Sequence, residues 1–438
     1  MKQGYLEYKE SGYEWLGEIP LHWELKKAKW SFKEKSIKGY PDELLLSVSK
    51  GKGVIPRGEL ENKTVMAFKD LQNFKLVLPE DFVIHLRSFQ SGFEMSMNKG
   101  IVSPAYTVFS CKNGLLPSYY KFLFYMQNFI DAIASTTQSL RDGKPIAYRD
   151  FSNMVLPFPK YNEQVKIANF LKVKLKEVDN LIYTKKKLIL LLEQQRQSII
   201  TEAVTKGLNP NVKMKDSGVE WIGDIPEHWK FTRLDFISRV KARLGWKGLK
   251  AEEYVEDGYA FLATPNLKER NIDFKNVNYI TEERYLESPE IMLEVGDVLL
   301  AKDGSTLGIV NVVRSLPKNA TVNSSIAVIR PTGKIDSVYF YYYLKSTYIQ
   351  DVINQIKDGM GVPHLFQADI KKFKILLPPM DEQVVIAKYL DEETLILEQL
   401  VGKVKKQIEK LKEYRQSLIY EAVTGKIDVR DMELDEVR

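Results

Sequence analysis

The segment SGYEWLGEIPLHW at residues 11–23 returns as SGVEWIGDIPEHW at residues 217–229, with both tryptophans, both glycines, the proline and the histidine in register. A phrase so rich in rare residue types does not recur by chance. The duplication extends further: NEQVKIANFL (162–171) pairs with DEQVVIAKYL (381–390), and RQSIITEAVTKG (196–207) with RQSLIYEAVTGK (415–426). Trp15 and Trp221 stand 206 residues apart, whereas Glu163 and Glu382, and again Glu202 and Glu421, stand 219 apart. Each half is therefore a short box, a body of variable length and a tail matched without a gap. A repeat of this length means two domain-sized copies rather than a solenoid, whose units run to about 20–50 residues.

The tails predict long helices. Asn162 after LPFPKY, and Asp381 with Glu382 after LLPPM, are placed to cap them, with Glu163 in the first turn. From Ala168 through Leu171, Val178, Leu192 and Arg196 to Ala203, and from Ala387 through Leu390, Leu397, Leu411 and Arg415 to Ala422, residues recur at alternating spacings of three and four. This is the seam of a coiled coil, ended near Gly207 and Gly425. Two seams of identical register in one chain favour pairing with each other over packing of each helix on its own body. The first helix leaves the first body at its N-terminal end, and the second box begins soon after its C-terminal end. The second helix must then run back along the first, which predicts an antiparallel intramolecular coiled coil and a pseudo-two-fold dumbbell. Lys185, Arg196 and Arg415 interrupt the apolar stripe and are expected to set register, with a partner carboxylate as the alternative.

The chain of 438 residues suits two domains of about 150 residues plus connectors, and 44% apolar with 11% aromatic residues is ample for packed cores. Its single cysteine, Cys111, excludes an internal disulfide framework and fits a reducing cytosol, so a cytoplasmic location is expected. No stretch has the apolar length of a signal core or a membrane span. A net charge of +6 is compatible with nucleic acid without deciding for it.

In the second body, DVLLAKDGSTLGIVNVV (297–313) reads as strand, turn and strand, ATVNSSIAVIRP as a further strand, and DSVYFYYYLKS as a helix. The first body repeats the skeleton in DFVIHLRSFQSG (81–92), IVSPAYTVF and PSYYKFLFYMQ, but with other residues at the turn. One frame with two different tips suits two readers of different short texts. Catalysis is not expected in this chain. No Gly-x4-Gly-Lys-Ser/Thr phosphate loop is present, four histidines and one cysteine offer no metal set, and LLPPM lacks the flanking residues of an adenine methyltransferase tetrad.

The order of box, variable body, EQxxIAxFL helix, box, variable body and EQxxIAxYL helix closing in YRQSLIYEAVTGKIDV resembles the specificity subunit of type I restriction-modification enzymes over essentially the whole chain. The resemblance implies α/β (α+β) target-recognition domains in tandem, separated by two long helices. The expected boundaries are 1–160 for the first domain with its box, 161–207 for the first helix, 208–378 for the second domain, 379–425 for the second helix and 426–438 for a tail. It also implies a non-catalytic, sequence-specific DNA reader of a bipartite, asymmetric target. One copy per complex would carry two methyltransferase subunits and restriction/translocase subunits, with S-adenosylmethionine, ATP and Mg used by those partners and no cofactor in this chain. A stand-alone DNA-binding regulator and a coiled-coil scaffold without nucleic acid are the alternatives.

Under that resemblance, cations give affinity through phosphates while polar side chains at groove edges give sequence. The candidates are Lys50, Lys52, Arg57, Arg87, Ser88 and Gln90 in the first body. In the second they are Arg243, Lys247, Asn266, Lys302, Asp303, Ser305, Thr306 and His364, the last in the loop KDGMGVPHLFQ (357–367). For Trp15, Trp23, Trp221 and Trp229 the expected role is packing beside the coiled coil, and docking of the methyltransferase is the alternative. His22 and His228 are expected to be core or hydrogen-bonding residues.

Overall fold

The computed structural model describes residues 4–49, 51–60, 70–84, 93–136, 146–220, 222–243, 249, 251–358 and 364–432. The chain separates into two compact units, Met1–Lys186 with Lys406–Arg438, and Lys187–Lys405. Each unit holds one box, one body, the start of one long helix and the end of the other. The helices span Tyr161–Lys206 and Met380–Val423.

In the first unit, four short strands form an antiparallel sheet in the spatial order Phe32–Lys35, Thr107–Cys111, Phe82–Ile84, Phe93–Met95. The second unit repeats the order with Ser238–Lys241, Ile326–Pro331, Val298–Ala301 and Val310–Val312. The tyrosine-rich helices Pro117–Phe124 and Ser337–Lys345 belong to the same cores as these sheets. A two-stranded ribbon closes each frame, Glu24–Lys27 with Val155–Phe158 and Lys230–Arg233 with Lys374–Leu377, and delivers the chain to the long helix. The architecture is mixed α and β, as expected.

Outside the shared frame the bodies diverge. The first adds the hairpin Leu46–Ser49/Gly53–Pro56 and the pair Lys75–Val77/Gly100–Val102. The second adds a three-stranded sheet in which Tyr259–Leu262 pairs antiparallel with Asn278–Ile280 and parallel with Ala320–Val322. ATVNSSIAVIRP, expected as one strand, is therefore two, Ala320–Val322 and Ile326–Pro331, in different sheets. Asn323 makes the break: its Oδ1 accepts from Ser325 N at 3.2 Å and its carbonyl from Ile326 N at 3.2 Å, an Asx-type turn that reverses the chain locally.

Along both helices every seam position is buried or half-buried, including Leu171, Val178, Leu192, Leu390, Leu397 and Leu411. Within the first unit, Asp179 faces Arg415 at 3.0 Å and Lys185 faces Gln407 at 2.7 Å, so numbers rise on one helix as they fall on the other. The pairing is antiparallel. Within the second unit, Arg196 meets Glu398 at 3.7 Å. Arg196 is the repeat equivalent of Arg415, and Glu398 that of Asp179, so the same pair is made once in each unit. The arginines in the seam are thus held by carboxylates of the facing helix.

The helices begin at Tyr161 and Met380, ahead of Asn162 and Asp381, so these two are not the caps. The turn is closed instead by the glutamines: Gln164 Nε2 donates to Pro159 O at 2.9 Å and Gln383 Nε2 to Pro378 O at 2.8 Å. Just past the helix ends stand Gly207 and Gly425, both at positive φ (75° and 74°). A Cβ at Gly425 would lie 2.4 Å from Pro20 and one at Gly207 3.2 Å from the Trp229 ring. Glycine is required there by both conformation and closeness.

Candidate nucleic-acid interface

The repeated box is an anchor for the helix start. Trp23 Nε1 donates to Glu163 Oε1 at 2.9 Å, His22 Nε2 lies 3.0 Å from Oε2, and the Tyr5 hydroxyl donates to Oε1 at 2.5 Å. In the second unit Trp229 Nε1 donates to Glu382 Oε2 at 2.8 Å and His228 Nε2 lies 2.6 Å from Oε1. Trp23 and Trp229 are fully buried, and Trp15 is buried against Phe129 with ring centroids 5.6 Å apart. The docking alternative for these three tryptophans is therefore corrected, because a buried ring offers no surface. Trp221 lies outside the described residues. The neighbouring glutamines tie in the tyrosine helices: Gln164 Oε1 accepts from Leu116 N and Gln383 Oε1 from Asp336 N, each at 2.8 Å. Tyr119 and Tyr339 then donate to Val423 O and Val204 O, at 2.9 and 3.3 Å, near the end of the other long helix of each unit.

This frame carries the loops predicted to meet DNA. In the second unit the turn 302–306 and the loop that includes His364, separated by some sixty residues of sequence, are stitched together. Lys302 O accepts from Leu365 N at 2.8 Å, and Asp303 and His364 form an isolated antiparallel bridge. The Asp303 carboxylate takes Lys302 Nζ at 3.0 Å and the Nδ1 of His364. A carboxylate only accepts, so Nδ1 carries the proton and Nε2 is the nitrogen left for an outside group. Thr306 Oγ1 donates to Asp303 O at 3.1 Å, while Ser305 is exposed and Phe366 half-exposed beside the His364 ring.

Three predicted contacts in this unit turn inward. Lys302 is buried, and its ammonium is taken by Asp303 rather than presented to phosphate. Asn266 is buried and fastens its own loop, accepting from Ala263 N at 2.8 Å and donating to Asn276 O at 2.8 Å and Asp273 O at 3.3 Å. The Arg243 side chain is 5% exposed, with Nη2 3.9 Å from a Glu287 carboxylate oxygen. Lys302 and Asn266 thus spend their polar atoms on internal partners, and the Arg243 side chain is packed away from the surface. Lys247 lies outside the described residues.

In the first unit, Lys50, Arg87, Ser88 and Gln90 lie outside the described residues. Lys52 is exposed at the tip of the hairpin Leu46–Ser49/Gly53–Pro56, and Arg57 follows it in a short 3-10 turn. The tip is fixed from below by Glu94, a fully buried carboxylate in the strand Phe93–Met95, which accepts from Gly51 N at 2.8 Å and from the Tyr125 hydroxyl. Burial pushes the Glu94 carboxyl up, against the opposing pull of the Tyr125 hydroxyl and the Gly51 amide. The matching residue in the second unit is Asn311, equally buried, whose amide donates to Leu267 O at 3.0 Å and Glu269 O at 2.8 Å. One strand position thus anchors a different loop in each unit, by an acceptor in one and a donor in the other.

Residues 226–410 match the family described as the type I restriction modification DNA specificity domain. In sequence and in fold the chain is similar to type I restriction-modification specificity subunits. It is 26% identical over 371 residues to the type I restriction enzyme MjaVIII specificity subunit of Methanocaldococcus jannaschii, covering 83% of each chain. Its fold matches a chain from structural work on complex assembly and conformational transition of the type I R-M system, with a TM-score of 0.73, 14% identity and coverage of 93% of this chain and 99% of that one. It also matches the HsdS subunit from Thermoanaerobacter tengcongensis, with a TM-score of 0.54, 16% identity and coverage of 95% and 100%. Among the described residues, no helix is long and apolar enough to cross a membrane and no cluster of His, Cys, Asp or Glu could hold a metal ion.

Sequence reasoning missed three pieces of the frame. Glu163 and Glu382 read as helix-dipole residues, yet they are the ligands of the box. Their signal was available in the fact that EQ recurs wherever HW recurs. Glu94 and Asn311 carried no such signal, since they differ between the copies. The arginine clamp of the second unit was also silent: Arg270 and Arg314 both reach Asp391 Oδ1, at 2.9 and 2.8 Å, and Arg270 continues to Thr394 Oγ1 at 2.9 Å.

Proposed function

We propose that this chain is a type I specificity subunit that reads a bipartite, asymmetric DNA target, one half-site per unit, and holds two methyltransferase subunits together with restriction/translocase subunits. The observation that carries the reading is one frame, with the same strand order and the same glutamate anchor, bearing different loops over the same edge strand. Sequence discrimination requires differing groups at groove edges, while a shared frame keeps both readers in a common relation to whatever binds the frame. In the first unit Lys52 and Arg57 belong to the reading surface. In the second, Ser305, Thr306 and His364 do, with Asp303 orienting the imidazole. The methylation and the ATP-driven steps lie in the partners, which use S-adenosylmethionine, ATP and Mg.

The test is a body exchange. Residues 24–158 are replaced by the corresponding body of a relative with a different target, and methylated adenines are mapped in cellular DNA. One half of the target is expected to change and the other to persist. A change of both halves, or of neither, would overturn the reading.

A further inference from the structure

Trp30 and Phe236 are repeat equivalents, and both stand out of the surface. Each follows the ribbon strand that ends the box, in the short helical turns Ala28–Ser31 and Leu234–Phe236, and they are 67% and 62% exposed. Their neighbours explain why these turns face the way they do. Ala28 and Leu234 are fully buried, and their amides donate to Met154 O at 2.8 Å and Phe373 O at 3.0 Å, so the aromatic two residues later is turned outward. A cation lies over each ring, Lys29 Nζ at 5.2 Å from Trp30 and the Arg233 guanidinium at 5.5 Å from Phe236, the latter also paired with Asp235, which stands where the first unit has Lys29. A lysine just past the neighbouring sheet strand, Thr107–Cys111 or Ile326–Pro331, braces each turn: Lys112 Nζ donates to Lys29 O at 2.8 Å and Lys334 Nζ to Phe236 O at 3.2 Å. The surrounding charge repeats as well, since Lys27 and Lys33 flank Trp30 at the positions where Arg233 and Arg239 flank Phe236, all four exposed.

The strand register locates these rings away from the reading turns. Ser238, two residues past Phe236, pairs with Pro331, whereas the turn 302–306 leaves the sheet at Ala301, which pairs with Ile326 at the opposite end of that strand. The first unit has the same arrangement: Phe32 pairs with Cys111, while Ile84 pairs with Thr107 at the other end. The reading loops differ between the units, but an exposed aromatic flanked by two exposed cations recurs in both. It fits a ligand that meets the two units identically.

We infer that Trp30 and Phe236 are equivalent docking knobs for two copies of one protein, each offering an apolar socket rimmed by carboxylates. Resting on the reading of this chain as a carrier of two methyltransferase subunits, the inference assigns those subunits as the occupants. Large, rigid aromatics set among cations are the residue types that dominate binding energy at protein interfaces, and the basic surround selects an acidic rim.

The experiment uses the full chain with its methyltransferase subunit. Trp30→Ala, Phe236→Ala and the double variant are titrated with that subunit, and stoichiometry is read by native mass spectrometry. Both side chains are on the surface, and the charge reversals Lys33→Glu and Arg239→Glu supply a second, soluble pair of variants. The wild-type chain is expected to bind two copies. Each single variant should weaken one site about tenfold or more, leaving mainly a one-to-one complex, and the double variant should weaken both, with affinity for a DNA duplex unchanged. Two copies bound as tightly by the double variant as by wild type would overturn the inference. So would loss of DNA affinity with partner binding intact, which would make the knobs a nucleic-acid contact, or self-association of wild type that the variants abolish. A wild-type chain that binds no methyltransferase would sink the carrier reading itself, and this assignment with it, in a pattern distinct from the others.

Discussion

The two units are the same device built twice with different tolerances. In the first, the glutamate that receives the box is buried, its side chain 6% exposed, and it serves Trp23, His22 and Tyr5; in the second, Glu382 is 38% exposed and serves Trp229 and His228 alone. The second unit compensates elsewhere. Asp391 gathers Arg270, Arg314 and the Tyr342 hydroxyl, fastening the body to the long helix, where the repeat equivalent in the first unit is Lys172. The difference teaches that the repeated motif fixes which groups meet, while the divergent bodies decide how much stability each meeting supplies.

Removing the shared anchor tests that difference most strongly. Glu163→Ala strands a buried indole N–H and a buried hydroxyl and should cost about 3–4 kcal/mol in the first unit. Glu382→Ala, at a wetter site, should cost about 1–2 kcal/mol in the second. Hydrogen exchange, followed separately in each unit under native conditions, reads both values. Equal costs would break the comparison.

Inverting the polarity of the edge-strand anchors should come next. Asn311→Asp sets a buried carboxylate against the carbonyls of Leu267 and Glu269 and should cost about 3 kcal/mol at neutral pH. Its folded-state pKa would lie above the unfolded one, so the loss shrinks as pH falls through the raised value. Glu94→Gln is the mild counterpart, because the amide oxygen still accepts from Gly51 and the desolvated charge is gone; a change within about 1 kcal/mol is expected at pH 7. The Glu94 carboxyl is raised in the folded state. Wild type therefore binds the proton more readily than its unfolded chain does, and it should gain stability relative to Glu94→Gln as pH drops from the raised value toward the ordinary glutamate range. Parallel pH profiles of urea unfolding for the two proteins would contradict this.

The clamp gives a smaller effect confined to one unit. Asp391→Ala leaves two arginines without their shared carboxylate and should cost about 2 kcal/mol, less at high salt because the site is partly exposed. Lys172→Ala should stay within about 0.5 kcal/mol. The smallest difference belongs to the duplicated helix pairs. Arg196→Ala and Arg415→Ala should each cost no more than about 1 kcal/mol, since both pairs are part-exposed. A markedly larger loss for either, measured by the same exchange experiment, would show that the two pairs are not equivalent.

Local pattern was enough for a large part of the architecture. The duplication, the seam from Ala168 to Ala203 with its partner, the strand-turn-strand of 297–313 and the glycine stops all depend on spacing and on backbone freedom, which a sequence states directly. Partnership and burial are different quantities. Nothing in the spacing of Lys302, Asn266 or Arg243 says that packing will turn them inward, and nothing in a box read alone says that His22 and Trp23 close on a glutamate 140 residues away. The aromatics make the point both ways. Trp15, Trp23 and Trp229, expected to pack beside the coiled coil, are core, whereas Trp30 and Phe236, unremarked in the sequence, stand exposed. A residue's type sets what it gains by burial, but only the tertiary arrangement decides whether neighbouring groups close over it, because closure depends on the direction in which distant segments hold its backbone.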